Sequence, residues 1–395
     1  MNRVRLLSVL VVLLPALLGL PGAEPASLEY RLTRESEPYV ESVTGWTVAG
    51  TAAMIAGRSS ASPADAEEVR RYFAAIADLA RVASARGARE AAAPEVGEAR
   101  ARIDAERPFV ESAIQTEVAK AAQAAGLTVE IAGWRRLFPP VFFKFESPPS
   151  LLVVSPRDHI ERAGTVLLRP GLGQTETAEV EARASSDRIS ALVTPIGGLG
   201  VYPSMVPESS DPRWTFRTVA HEWTHQFLAL RPLGWKYAFG AESDERMITL
   251  NETVAETIGT ELGDTVFREY YPDAEAAPTS PRSPRDSVFR AEMREIRGNV
   301  DRLLGQGKIA EAEGYMEASR EKLAAEGFYI RKLNQAYFAF YGSYAEDPSF
   351  ASPTGSAISQ RVRALRASSR TLGDFLWSVS SAGSYSQFLG ITKGS

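Results

Sequence analysis

A predominantly helical α+β fold follows from three features of the chain. Apolar residues recur at helical spacing in both flanks, as in Val69, Phe73, Ile76 and Leu79 near the start and Phe289, Met293, Ile296, Val300 and Leu303 later. Between the flanks, from Val141 to Val201, this spacing gives way to short β-prone runs separated by Pro, Gly and polar residues. With 395 residues, 44% of them hydrophobic, the chain can also bury a core large enough for two or three structural units.

Taken in order, Arg3 and Arg5 precede an apolar run from Leu6 to Leu20, and Pro21-Gly22-Ala23 follows before the first acid, Glu24. This is the pattern of an export signal, and the run is shorter than the ~20 residues a spanning helix needs. Residues 1–23 are therefore expected to be a cleaved signal peptide or, if retained, an anchor that ties the N-terminus to a membrane. From Ser62 to Leu127 the Ala, Glu and Arg-rich sequence predicts a helical hairpin broken near Gly87 and Pro94. The runs Val141-Phe142-Phe143, Leu151 to Val154, Thr165 to Leu168 and Ile189 to Val193 predict one small sheet.

Asp211 followed by Pro212 is a helix start, and Phe216, Val219, Trp223, Phe227 and Leu230 supply the apolar stripe of a long helix. Ser243, with Asp244 and Glu245 behind it, signals the next helix, whose buried face is Leu250, Val254, Ile258 and Leu262. Pro272 to Asp286 predicts a linker or long surface loop. A helix through Leu303, a turn at Gly305-Gln306-Gly307, a second helix to Tyr344 broken near Gly327, and further helices from Ser356 to Leu389 complete the chain. The resulting regions are 24–140, mostly helical; 141–275, the core; and 276–395, helical.

Composition narrows the chemistry. There are 44 basic and 49 acidic residues, a net charge of -5, and no basic block of the kind that neutralises phosphates, so nucleic acid is not expected as a partner. Cysteine is absent, which removes thiolate sites and leaves His, Asp and Glu as the strong metal ligands.

His221-Glu222-Trp223-Thr224-His225 falls in the middle of the helix begun at Pro212. Residues four apart stand one turn above each other, so both imidazoles can take two positions of a tetrahedral zinc while Glu222 reaches the metal's water. Given 3 histidines in the chain, this pattern arises by chance in roughly one such chain in five hundred. A catalytic zinc needs a third protein ligand and one open position. The remaining histidine, His159, lies upstream in a turn and is read as structural, so the third ligand must be a carboxylate. Glu252 and Glu256 share the helix face opposite Leu250, Val254 and Ile258, and make a ligand and an acceptor that orients a ligand histidine. Asp264, three turns beyond Glu252, is the alternative third ligand.

The pair His221-Glu222-x-x-His225 and Asn251-Glu252-x-x-Ala255-Glu256 resembles the gluzincins, the clan of thermolysin-like peptidases and the aminopeptidase N type family. The likeness spans about Ile189 to Leu262. It maps the zinc-binding Glu of the clan's second helix to Glu252, and the acid supporting the first histidine to Glu256. It implies a zincin-like core across 141–275, with a small sheet, an active-site helix and a Glu-bearing helix. One Zn2+ per chain and a peptide or protein substrate are implied as well. Two departures stand out: 26 residues separate His225 from Glu252, implying an inserted loop around Gly234 to Ala241, and the aminopeptidase pattern Gly-x-Met-Glu-Asn is missing from the preceding strand. In the clan that strand borders the cleft, here Thr194 to Tyr202, where glycines would let a peptide approach closely.

Zincins also need a donor to the developing oxyanion, and Asn334, Tyr337, Tyr341 and Tyr344 form a polar-aromatic face from which Tyr341 is the candidate. The expected mechanism has zinc polarise the carbonyl and lower the pKa of its water toward ~7, with Glu222 passing the water proton to the leaving amine. The rival expectations are a zinc hydrolase acting on something other than peptides and an exported helical binding protein whose zinc site is vestigial.

Overall fold

The computed structural model describes residues 28–55, 61–86, 94–131, 133–238, 244–272, 284–343 and 353–394. The segment 1–23, Gly87 and most of the expected linker between Pro272 and Asp286 lie outside them. The elements are helices α1 (Leu28–Glu35), α2 (Thr44–Ile55), α3 (Ala66–Arg86) and α4 (Pro94–Ala124), then strands β1 (Val129–Ile131), β2 (Trp134–Arg136), β3 (Phe143–Phe145), β4 (Ser150–Pro156) and β5 (Gly164–Leu168). After α5 (Gln174–Ala184), β6 (Ile189–Pro195) and β7 (Ser204–Val206) come α6 (Pro212–Leu228), α7 (Pro232–Ala238) and α8 (Glu245–Tyr270). The chain ends with α9 (Pro284–Gly305), α10 (Ile309–Ala325), α11 (Gln335–Tyr341), α12 (Pro353–Ser368), α13 (Leu372–Val379) and α14 (Tyr385–Ile391). The protein is predominantly helical with a few small sheets, an α+β chain.

The principal sheet has three antiparallel strands in the order β5-β4-β6. Alternation along each strand sends Leu152, Val154, Val166, Leu168, Ala191 and Val193 to one face, where α1 supplies Leu32 and α5 supplies Val180 and Ala184. Val153 and Leu192 point to the other face, onto Met293, Ile296, Leu333 and Phe338 of the segment running from α9 to α11. The sheet is thus a middle layer between helices.

Two expectations about this region need correction. The run Val141-Phe142-Phe143 does not join the sheet, because β3 pairs in parallel with β7, Phe143 opposite Ser204 and Phe145 opposite Val206. The stretch between β5 and β6 also holds a helix, α5, where only β-prone runs and breaks are expected; the Glu176 carboxylate accepts from the Gly173 N–H at 2.9 Å and closes its first turn.

The helix at the centre of the fold is α6, started by Asp211, whose side chain accepts from the Trp214 N–H at 3.0 Å, with Pro212 in the first turn. Its stripe of Phe216, Val219, Trp223 and Phe227 is buried against Leu250, Val254, Ile258 and Leu262 of α8. Leu230 lies past the end of α6, which stops at Leu228. The start of α8 is Asp244, which accepts from the Arg246 N–H at 3.0 Å; Ser243 is outside the described residues. Two glycines of α8 set the spacing to α6: a Cβ on Gly263 would lie 2.5 Å from the Arg217 Cα, and one on Gly259 2.9 Å from the His221 Cβ. Around this pair a single apolar cluster gathers Val69, Phe73, Ile103 and Ile114 of the α3–α4 hairpin with Ile358, Val362, Phe375 and Phe388 of α12 to α14. Regions 24–140, 141–275 and 276–395 share this core.

The segment to Tyr344 is broken near Gly327, as expected, and forms two helices. Gly327 adopts φ +86°, α10 has already ended at Ala325, and α11 starts only at Gln335. Tyr344 lies outside the described residues, and no helix among the described residues is long and apolar enough to cross a membrane.

Candidate metal centre

The spacing of His221 and His225 places both imidazoles on the face of α6 that meets α8, with Nε2 atoms 3.0 Å apart. Glu252 rises from α8 between them, its Oε2 3.6 Å from the Nε2 of each histidine. A tetrahedral zinc with bonds of 2.0–2.1 Å holds its donors about 3.3 Å from one another, which these three separations bracket. Glu252 is 3% exposed, and its Oε2 is buried with no hydrogen-bond partner, so its charge is met by the two imidazoles 3.6 Å away or by a cation held between the three side chains. The donor set of two nitrogens and one carboxylate oxygen suits zinc. The residues present fit the group.

Each of the three is held by a further side chain. Glu256 Oε2 lies 3.3 Å from His221 Nδ1. Asn251 Oδ1 accepts from His225 Nδ1 at 2.9 Å, which leaves Nε2 of that ring as the atom that could ligate a metal. The Tyr237 hydroxyl donates to Glu252 Oε1, and its ring stacks on His225 at 5.6 Å between centroids.

The charges respond to one another. Burial alone would pull the His221 pKa down, but the Glu252 and Glu256 carboxylates outweigh it and hold the ring well above the ordinary histidine value. Burial opposes ionisation of Glu252 in the same way, and the two histidines overcome it, keeping its pKa well below the carboxylate range. Glu222 goes the other way: burial pushes its pKa up, with the two histidines opposing. No hydrogen bond from a described residue reaches the Glu222 carboxylate, which is the neighbour on α6 of His221 and lies under the backbone of Gly198.

That backbone belongs to the segment leaving β6. It runs along α6 so closely that a Cβ on Gly198 would lie 2.4 Å from Glu222 Oε1 and one on Gly200 2.8 Å from the His225 Cβ. Gly198 and Gly200 therefore allow the segment itself to approach α6, a use the sequence did not show. Leu199 pairs with Met205 through two backbone hydrogen bonds of 2.9 and 3.1 Å.

Other candidates have other partners. Asp264, the alternative ligand, is committed to Arg217 through bonds of 2.7 and 2.8 Å and to Arg213 at 2.9 Å. His159 sits on the surface between Asp158 and Glu161, at 2.7 and 2.9 Å. Tyr341 shares a 3.2 Å hydrogen bond with Thr194, at the end of β6 just before the glycine segment, and packs on Tyr337 and Phe340. Asn334 caps α11 and donates to the Ala191 carbonyl at 3.0 Å.

Sequence reasoning missed the roles of Asn251 and Tyr237. Asn251 was visible as the residue before Glu252 but had no partner assigned. Tyr237 falls where an inserted loop is expected around Gly234 to Ala241. Residues 234–238 are instead the end of a short helix, for which Pro232 at the first position was the available signal; residues 239–243 are outside the description. Compared with protein-family models, curated proteins and solved structures, the chain matches none of them.

Proposed function

We propose that this protein is an exported zinc-dependent peptidase with a core of the gluzincin kind, in which His221, His225 and Glu252 hold one Zn2+ and Glu222 is the general base. The observation that carries the reading is the buried Oε2 of Glu252, without a hydrogen-bond partner and 3.6 Å from both histidine Nε2 atoms. When bound, zinc supplies Lewis acidity and a water acidified toward a pKa of ~7. Glu222 takes the proton of the attacking water and returns it to the leaving amine, a task suited to a carboxylate whose pKa burial has raised. Glu256 and Asn251 fix the rings of His221 and His225 so that each presents Nε2. Tyr341 is the proposed oxyanion donor; its bond to Thr194 keeps it beside the strand that leads to Glu222. Export is supported by the charged and then apolar stretch before Glu24.

The test is elemental analysis of the purified chain followed by a peptide library. Wild type is expected to carry about one zinc per chain and Glu252→Ala to lose it. Glu222→Gln should keep the metal and lower kcat by roughly 10²–10⁴-fold. A wild type that takes up no zinc after reconstitution overturns the proposal. Full zinc occupancy with no cleavage of diverse peptides would instead favour a binding protein or a hydrolase of another substrate class.

A further inference from the structure

Tyr237 reaches the three clustered residues from outside α6 and α8. It comes from α7, and it makes two contacts of different kinds. Its ring stacks on the His225 imidazole with an interplanar angle of 22°, and its hydroxyl donates to one specific oxygen of Glu252, Oε1. The other oxygen, Oε2, is the one equidistant from the two histidine nitrogens. The two oxygens of Glu252 are therefore already divided between two tasks.

Resting on the zinc reading above, we propose that Tyr237 is a positioning residue that restricts Glu252 to ligation through Oε2 alone. A carboxylate can bind a metal through one oxygen or two, and a catalytic site needs a position left open for water. With Oε1 engaged by the phenol, Glu252 supplies one bond, and with His221 and His225 the protein fills three positions of four. Without the hydroxyl, Oε1 has no other described donor and lies free to turn onto the metal as a fifth donor beside the water, crowding the position that substrate uses. The ring contact with His225 survives replacement by phenylalanine, so Tyr237→Phe removes the hydrogen bond and leaves the packing.

The experiment loads wild type and Tyr237→Phe with Co2+ to report coordination by visible absorption, and measures Zn2+ affinity by competition with a chelator. Wild type is expected to show the intense bands of a four-coordinate site. Tyr237→Phe should show the weak bands of a higher-coordinate site and bind Zn2+ roughly 10–100-fold less tightly, while its metal-free melting temperature stays that of wild type. Identical spectra and affinities in the two proteins overturn the role of Tyr237 and leave the zinc reading standing. A wild type that binds neither metal overturns the zinc reading itself.

Discussion

Glu222 and Gly198 depend on each other at the level of single atoms. The carboxylate is the movable partner, so a methyl group on residue 198 displaces it while leaving the ligands in place. Gly198→Ala is expected to keep its zinc and lose roughly 10²-fold in kcat, the usual penalty for a catalytic group moved by about an ångström; zinc content and peptide turnover, measured on the same preparation, check it. The clustering of His221, Glu222 and His225 was legible in the sequence because their geometry is set within five residues of one helix, where periodicity alone decides which side chains share a face. The contact between Tyr237 and Glu252 was not legible. It joins two helices across a stretch whose path is fixed by packing, and no local pattern says where a seven-residue helix will aim a phenol.

Helix α8 approaches α6 over two glycines, and that approach sets where Glu252 stands relative to the histidines. Gly263→Ala forces a Cβ into the Arg217 backbone, which cannot swing aside, and should lower stability by about 1–3 kcal/mol. Thermal unfolding of the metal-free protein measures this. On the sheet, the buried Glu181 of α5 accepts from the Val193 N–H at 2.7 Å and from Arg331 and Lys332, tying β6 to the chain before α11. Burial opposes its ionisation, but these donors hold its pKa below the ordinary value. A depressed carboxylate stabilises the fold above its unfolded pKa, about 4.3, and that contribution is lost as pH falls through the folded value. The stability gap between wild type and Glu181→Gln should therefore be full above the unfolded pKa of about 4.3 and narrow as pH falls through the lower folded value, as read from urea midpoints.

The legibility of the elements follows the same physics. α6 and α8 carry long stripes and caps, whereas α5 has few inward apolar residues and reads as a polar connection. The β3–β7 pair joins short segments about sixty residues apart, which no local alternation reports.

At the scale of the molecule, the proposed zinc would couple metal to fold. A site formed only in the folded chain stabilises it by mass action, so zinc at about a hundredfold its Kd should add about 2.7 kcal/mol and a chelator should remove the same amount. Calorimetric melting with and without chelator gives the comparison, and Glu252→Ala should show no such difference.

The shared core around α6 and α8 also has a consequence for timing. α6 and α8 are seated on residues as early as Val69 and as late as Phe388. On a ribosome, a chain that has just released Glu252 owns all three donors yet lacks the wall that α12 to α14 build against α8. The cluster thus takes its final form near the end of synthesis rather than when its motif emerges, so that, on the proposed reading, a growing chain would be spared an active hydrolase.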